Sequence, residues 1–325
     1  MNSALAPAHI VVLGTGGTIA GTAASPDDVV GYTPGQIAID ALLAGIELPA
    51  HTTVECEQVA QIDSRSMTHA IWRMLAQRVA HHLARPEVAG IVITHGTDTL
   101  EETAWFLQRV LAPHKPVVLT GAMRPATAEL ADGPRNLADA ISVAREPGLS
   151  GVLAVLAGAL HDALHLRKAH TLRLDDAFDS GEVGPLGLIS GGRLRWLRLG
   201  AAASEPATHA GTASHPALRL AVAEWPRVEI VASHAGATGA VVHALCEQGV
   251  DGLVVSATGN GSVHADMQAA LVEAQARGVA VLCSPRCGDG CWNAQAIDRL
   301  PMVDVLTPAK ARVELMIRLM ESVLR

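Results

Sequence analysis

Two short turns hold more glycine and hydroxyl groups than a change of direction needs: Gly14-Thr15-Gly16-Gly17-Thr18-Ile19-Ala20-Gly21 and Thr94-His95-Gly96-Thr97-Asp98-Thr99. Glycines let the backbone approach a bound molecule closely, and threonines supply hydrogen bonds and weak nucleophiles. The pattern points to hydroxyl attack on a small molecule. Thr18 is the better placed nucleophile, because the polar, aperiodic stretch from Thr22 to Thr33 follows it directly and reads as a surface loop able to close over it. A threonine hydroxyl near neutral pH needs a proton acceptor. Lysine can serve where its surroundings lower its pKa, whereas arginine cannot give up its proton. Lys115, Lys168 and Lys310 are the only lysines among 24 basic residues. Lys115, before a proline and a strand, and Lys310, in a helix cap, read as surface positions, which leaves Lys168. Asp98 can orient that lysine; taken alone, it reads as a helix cap. Tyr32, the only tyrosine, lies on the loop.

Competing chemistries fit less well. Gly-x-Gly after a strand opens the dinucleotide fingerprint, but its third glycine would fall at Ile19 and no P-loop lysine follows. Cys283, Cys287 and Cys291 recur every fourth residue but lack the paired CxxC of a zinc ribbon, and Cys283 reads as the end of a buried strand. His161, His165 and His170 form no HExxH-type pattern and read as scattered surface histidines. Five cysteines, an odd number, give no disulfide framework.

The elements that must position these residues alternate. Each turn follows an apolar run of strand type, His9 to Leu13 and Gly90 to Ile93, so parallel pairing places both turns at the carboxyl edge of one sheet, where open α/β sheets bind ligands. Ser66 is the expected cap of a helix with Met67, Ile71, Leu75, Val79 and Leu83 on one face. Further expected elements are a helix from Glu101 to Leu111, a strand from Val117 to Leu119, a helix from Asn136 to Arg145 and a strand from Val152 to Leu156. After a stretch rich in Ala, Ser, Thr, Gly, His and Pro, strands follow at Val228 to Ala232, Leu253 to Ser256 and Val279 to Leu282. Thr307-Pro308 opens a last helix. This predicts an α/β fold of two domains with mainly parallel sheets: residues 1–198, a linker over 199–226, and a smaller domain over 227–325.

The chain has 325 residues, 49% of them apolar, and a formal charge of −8. That excludes a disordered chain and argues against non-specific attraction to nucleic acid or anionic lipid. No segment reaches the twenty or so apolar residues of a membrane helix, and Met1 to Pro7 has no signal-peptide character. A soluble cytoplasmic enzyme is expected, or a periplasmic one if a leader was removed.

Several motifs in register resemble the bacterial-type L-asparaginase family: the octet Gly14 to Gly21, the segment Ile93 to Ala104, the block Gly121 to Pro125, the run Ala131 to Leu137, and Gly259-Asn260-Gly261. The match in order and spacing covers essentially the whole chain, and Gly31-Tyr32-Thr33 with Ser64 resemble its type II branch. The resemblance implies a larger flavodoxin- or Rossmann-like domain and a smaller Rossmann-like one, joined as a homotetramer without metal or organic cofactor. It implies that Thr18 attacks the substrate's side-chain amide with help from Tyr32, and that Thr97, Asp98 and Lys168 form a second cluster for proton transfer. Ser64 and Asp98 would bind the substrate's α-carboxylate and α-amino groups, Gly96 would line the substrate site, a neighbouring subunit would contribute Asn260, and the backbone around Thr97 and Ala122 would stabilise the oxyanion. Arg65 stands where many relatives carry a glutamine that touches the substrate amino group; a guanidinium there repels an ammonium unless it points away or pairs with an acid. The acid that the family's neighbouring subunit supplies has its nearest position here at Ile297.

Overall fold

The computed structural model describes residues 7–198, 215–290, 300–303 and 305–323. The chain divides into two compact units, Met1–Ser214 and His215–Arg325. Of the expected linker, residues 199–214 lie outside the described residues. From His215 on, the chain forms helical turns that belong to the second unit.

In the first unit the order is β1 (Ala8–Gly16), α1 (Ile39–Leu43), β2 (Thr52–Ile62), α2 (His69–Leu83), β3 (Val88–Thr94), α3 (Leu100–Leu111), β4 (Pro116–Thr120), α4 (Gly133–Ala144), β5 (Gly151–Leu156), β6 (Ala159–Asp162), β7 (Arg167–Lys168), β8 (Phe178–Asp179), β9 (Gly187–Ser190) and β10 (Arg193–Trp196). Eight of these strands make one sheet in the order β10-β9-β6-β5-β4-β3-β1-β2. The strands from β2 to β5 in that order pair in parallel, whereas β6, β9 and β10 add an antiparallel margin that the sequence did not announce. β1 is buried on both faces, as a central parallel strand must be. Ile10, Val12, Val92 and Val118 share a core with Leu137, Ile141 and Ala144 of α4. On the other face α2 packs on β2 and β3, and α3 on β5.

Thr68, not Ser66, caps α2, its hydroxyl accepting from the Ile71 amide at 3.3 Å. Ser66 instead closes a 3-10 turn with Ser64, and this turn belongs to the site described below.

The second unit contains α5 (Pro216–Arg219), β11 (Val228–Ala232), α6 (Ala240–Glu247), β12 (Gly252–Ala257), α7 (Ala265–Ala276), β13 (Ala280–Pro285) and α8 (Pro308–Ser322). Its sheet, β11-β12-β13, is parallel throughout. Thr307 caps α8 as expected, accepting from the Lys310 amide. Lys310 is not at the surface: it is 0% exposed, because the first turn of α8 packs inward with Ala311 and Val313. Lys115 is half-buried too, its ammonium donating to the Arg85 carbonyl at 2.6 Å.

Candidate active site

The two turns leave adjacent parallel strands at the same edge, with Gly14 opposite Thr94. The Thr15 hydroxyl donates to the Thr94 carbonyl at 2.8 Å. Beyond that bond the backbones touch: a Cβ on Gly17 would lie 2.3 Å from the Gly96 Cα, and Gly17 has φ +83°. Only glycine meets both demands. Each contact glycine is followed by a threonine that begins a 3-10 turn, Thr18–Ala20 in one case and Thr97–Thr99 in the other. Thr18 is 8% exposed and Thr97 6%, so both hydroxyls sit at the floor of a cleft.

Two separate polar clusters result. In the first, the Thr18 and Tyr32 hydroxyls lie 2.7 Å apart, and either can donate. In the second, Lys168 Nζ donates to Thr97 Oγ1 at 2.9 Å and to Asp98 Oδ1 at 2.6 Å. Asp98 is therefore not a helix cap; its carboxylate faces the lysine and is half exposed towards the cleft. The Lys168 backbone N–H donates to Glu101 Oε2 at 2.7 Å. Ser64 belongs with the second cluster, its hydroxyl accepting from the Asp98 amide at 3.2 Å while its carbonyl accepts from Thr99 Oγ1. A cleft of about 480 Å³ is lined by Thr18, Tyr32, Ser64, Arg65, Gly96, Thr97, Asp98 and Lys168, with Val29, Val30 and Leu172 at its apolar parts.

The second turn has a buried support. The Gly96 carbonyl can only accept, so His95 Nδ1 carries the proton of their 2.7 Å bond. His95 Nε2 then accepts from the Thr103 hydroxyl at 3.0 Å, and Thr103 accepts from Trp72 Nε1 at 2.8 Å. Burial lowers the His95 pKa to about 4, so the ring stays neutral and this donor order persists. Gly121 packs on the same turn, since a Cβ there would lie 2.6 Å from the His95 carbonyl oxygen. Ala122 is fully buried, and the Asp132 carboxylate accepts from the Met123 and Arg124 amides at 2.9 Å each.

The loop over Thr18 is closed at its neck by a Thr22–Thr33 bridge, with reciprocal amide bonds of 2.9 and 2.8 Å. Inside it, Asp28 Oδ1 accepts from the Val30 and Gly31 amides. Arg65 pairs with Asp63, Nε to Oδ2 at 2.9 Å, and its side chain is 76% exposed. The guanidinium thus meets an acid. Asp63 also accepts from the Arg65 amide and starts the 3-10 turn that presents Ser64.

Other expected residues lie elsewhere. Asn260 is exposed in the second unit, on the turn after β12, where Thr258 bridges Ser262. Ile297 and Cys291 fall outside the described residues. Cys283 is buried in β13 with its thiol pKa pushed up to about 12 by burial, and Cys287 is exposed. The histidines are not all at the surface: His161 is buried against the Ser180 hydroxyl at 2.8 Å, and His165 pairs with Asp162. Among the described residues no group of three or more His, Cys, Asp or Glu is arranged to hold a metal, and no helix is long and apolar enough to cross a membrane.

Sequence reasoning assigned no role to Glu101, Asp63, Asp132 or the Trp72–Thr103–His95 chain. The Ile93 to Ala104 segment already contained Glu101, three residues after Asp98 on the next helical turn.

Fold and site together define a class: a two-unit α/β protein whose hydroxyl, lysine and carboxylate groups converge at the carboxyl edge of a parallel sheet. Residues 9–199 match the family described as "Asparaginase, N-terminal", and residues 227–322 match the "Glutaminase/Asparaginase C-terminal domain". The chain is 36% identical to a glutaminase-asparaginase of Pseudomonas fluorescens biotype A, covering 97% of this chain and 87% of that one. It is 35% identical to L-asparaginase 2 of Escherichia coli (strain K12), covering 98% and 91%. The crystal structure of a probable cytoplasmic L-asparaginase from Campylobacter jejuni superimposes with a TM-score of 0.85 at 36% identity, over 96% of this chain and 95% of that one. This chain belongs to the asparaginase family.

Proposed function

We propose that the protein is an L-asparaginase, hydrolysing L-asparagine to L-aspartate and ammonia through a threonyl acyl-enzyme. The observation that carries the reading is the placing of two hydrogen-bonded threonine hydroxyls in one cleft, Thr18 with Tyr32 and Thr97 with Lys168 and Asp98. Thr18 Oγ1 attacks the side-chain amide carbon as its proton passes to the Tyr32 hydroxyl, which relays its own proton towards the departing nitrogen. Backbone amides around Thr97 and Ala122 stabilise the oxyanion. The C–N bond then breaks, the departing nitrogen is protonated and leaves as ammonia, and Thr18 carries the aspartyl ester. Water attacks that ester with proton transfer through Thr97 and Lys168, and the Thr18–acyl bond breaks. Asp98 takes the substrate ammonium and Ser64 donates to the α-carboxylate. No metal or organic cofactor enters this scheme.

The family resemblance further suggests a homotetramer in which Asn260 of a neighbouring subunit completes the substrate site, and the Campylobacter jejuni relative supports cytoplasmic residence. The second reading is a dual glutaminase-asparaginase, favoured by the name of the Pseudomonas fluorescens relative. Ammonia release from asparagine and from glutamine, measured side by side, tests both. Release from neither amide overturns the proposal, and comparable turnover of the two selects the dual activity. Light scattering tests the tetramer.

A further inference from the structure

We propose that Glu101 is a positioning residue that sets how far Lys168 reaches towards Thr97. The inference rests on the functional reading above, in which Lys168 moves the proton of the second cluster.

Glu101 is in the first turn of α3, four residues after Thr97 and three after Asp98. A helix N-terminus favours an acid there, and an exposed one suffices for that purpose. Glu101 is instead only 9% exposed. A carboxylate is unfavourable to bury unless it is hydrogen-bonded. Its Oε2 accepts the backbone N–H of Lys168 at 2.7 Å, a residue 67 positions away in the chain.

Lys168 needs such an anchor. Its strand, β7, is two residues long, and its ladder to β8 consists of Arg167 opposite Asp179 and Lys168 opposite Phe178. A two-residue ladder is a weak mount for a long, flexible side chain that must hold Nζ 2.9 Å from Thr97 and 2.6 Å from Asp98. One turn of α3 and the 3-10 turn before it carry both groups that Nζ bonds and the group that fixes the lysine backbone. The separation between the two ends of Lys168 is therefore set within one continuous segment. A 1 Å misplacement of a reacting group costs on the order of 10²-fold in rate.

Reach and charge can be separated by substitution in the full chain. Glu101→Gln keeps an acceptor oxygen at the same distance without the charge; Glu101→Asp keeps the charge but is one methylene short. The expected result is a kcat for asparagine within about threefold of wild type for Glu101→Gln, but a loss of roughly 10- to 100-fold for Glu101→Asp and Glu101→Ala. KM should stay within about threefold, since Asp98 and Ser64 remain. Hydrogen exchange at the Lys168 amide, read by mass spectrometry, should quicken in the Asp and Ala variants and stay slow in Gln, whether or not turnover is measurable. If Glu101→Ala does not fold, the Gln and Asp pair decides. Wild-type kcat in Glu101→Asp, impairment in Glu101→Gln alone, or unchanged exchange in all three overturns the clamp. A wild-type protein that releases no ammonia overturns the functional reading instead, and the exchange data then judge the clamp by themselves.

Discussion

Thr18 and Thr97 share a side chain but not a setting, and their substitutions should fail differently. Thr18→Ala removes the group expected to carry the acyl intermediate, and loss of at least about 10³-fold in kcat is predicted with the fold intact. Thr97→Ala should likewise abolish steady-state ammonia release, yet permit a stoichiometric burst if acylation survives; rapid-quench kinetics distinguish the two. Tyr32→Phe keeps the ring and loses the 2.7 Å partner of Thr18, for an expected drop of roughly 10²-fold. Arg65→Gln should change KM by less than about fivefold, because the Asp63 pairing already neutralises a largely exposed guanidinium and such pairs contribute about 0–1 kcal/mol. A larger change would mean that Arg65 leaves Asp63 when substrate binds. Lys168 was legible because the chain has only three lysines, and Thr18, Thr97 and Asp98 because they sit in glycine-rich turns that follow strand-type runs. Glu101 was not, because an acid in a first helical turn has an ordinary reason to be there, and only its burial exposes a second one.

Among elements, the contact between the turns is the most demanding. Gly96→Ala would place a Cβ 2.5 Å from Ser64 Oγ and 3.1 Å from the Gly17 Cα. Overpacking of this kind costs about 1–3 kcal/mol, so a calorimetric melt should fall by several degrees and activity should go with it. An unchanged melt would mean that the turns can part freely. The strands leading into these turns were readable because central parallel strands are apolar throughout. β2 escaped notice because it is an edge strand with exposed and partly buried residues interleaved, and so resembles surface chain. Lys310 was misread for a related reason: cap chemistry at Thr307-Pro308 locates the start of α8 but does not say which side of its first turn faces the core. The loop between β6 and β8 that carries Lys168 is stabilised by charge. Burial alone would raise the Asp162 pKa, but hydrogen bonds from His165 and Arg198 hold it down at about 2.

For the whole molecule these shifts give a signed dependence on pH. His95 and His161 have pKa values lowered by burial from 6.5 to about 4. Below pH 6.5 the unfolded chain takes up protons that the folded one refuses, so stability is full above 6.5 and declines as the pH falls towards 4, by roughly 3 kcal/mol for each ring. Asp162 acts in a lower window: its contribution is complete above pH 3.8 and is lost as the pH falls through about 2. Urea melts from pH 7 to pH 4 should show a steadily falling midpoint, and a flat one would refute neutral burial of both rings. The Thr22–Thr33 bridge has a different consequence at this scale. Tyr32 sits one residue inside the closed neck, so the bridge holds the phenol beside Thr18 independently of the tip beyond it. Under the role proposed for Thr18, substrate entry and readiness of the hydroxyl are then separately adjustable, and sequence drift across residues 23–31 would retune how fast molecules come and go while the proposed chemistry beneath is left alone.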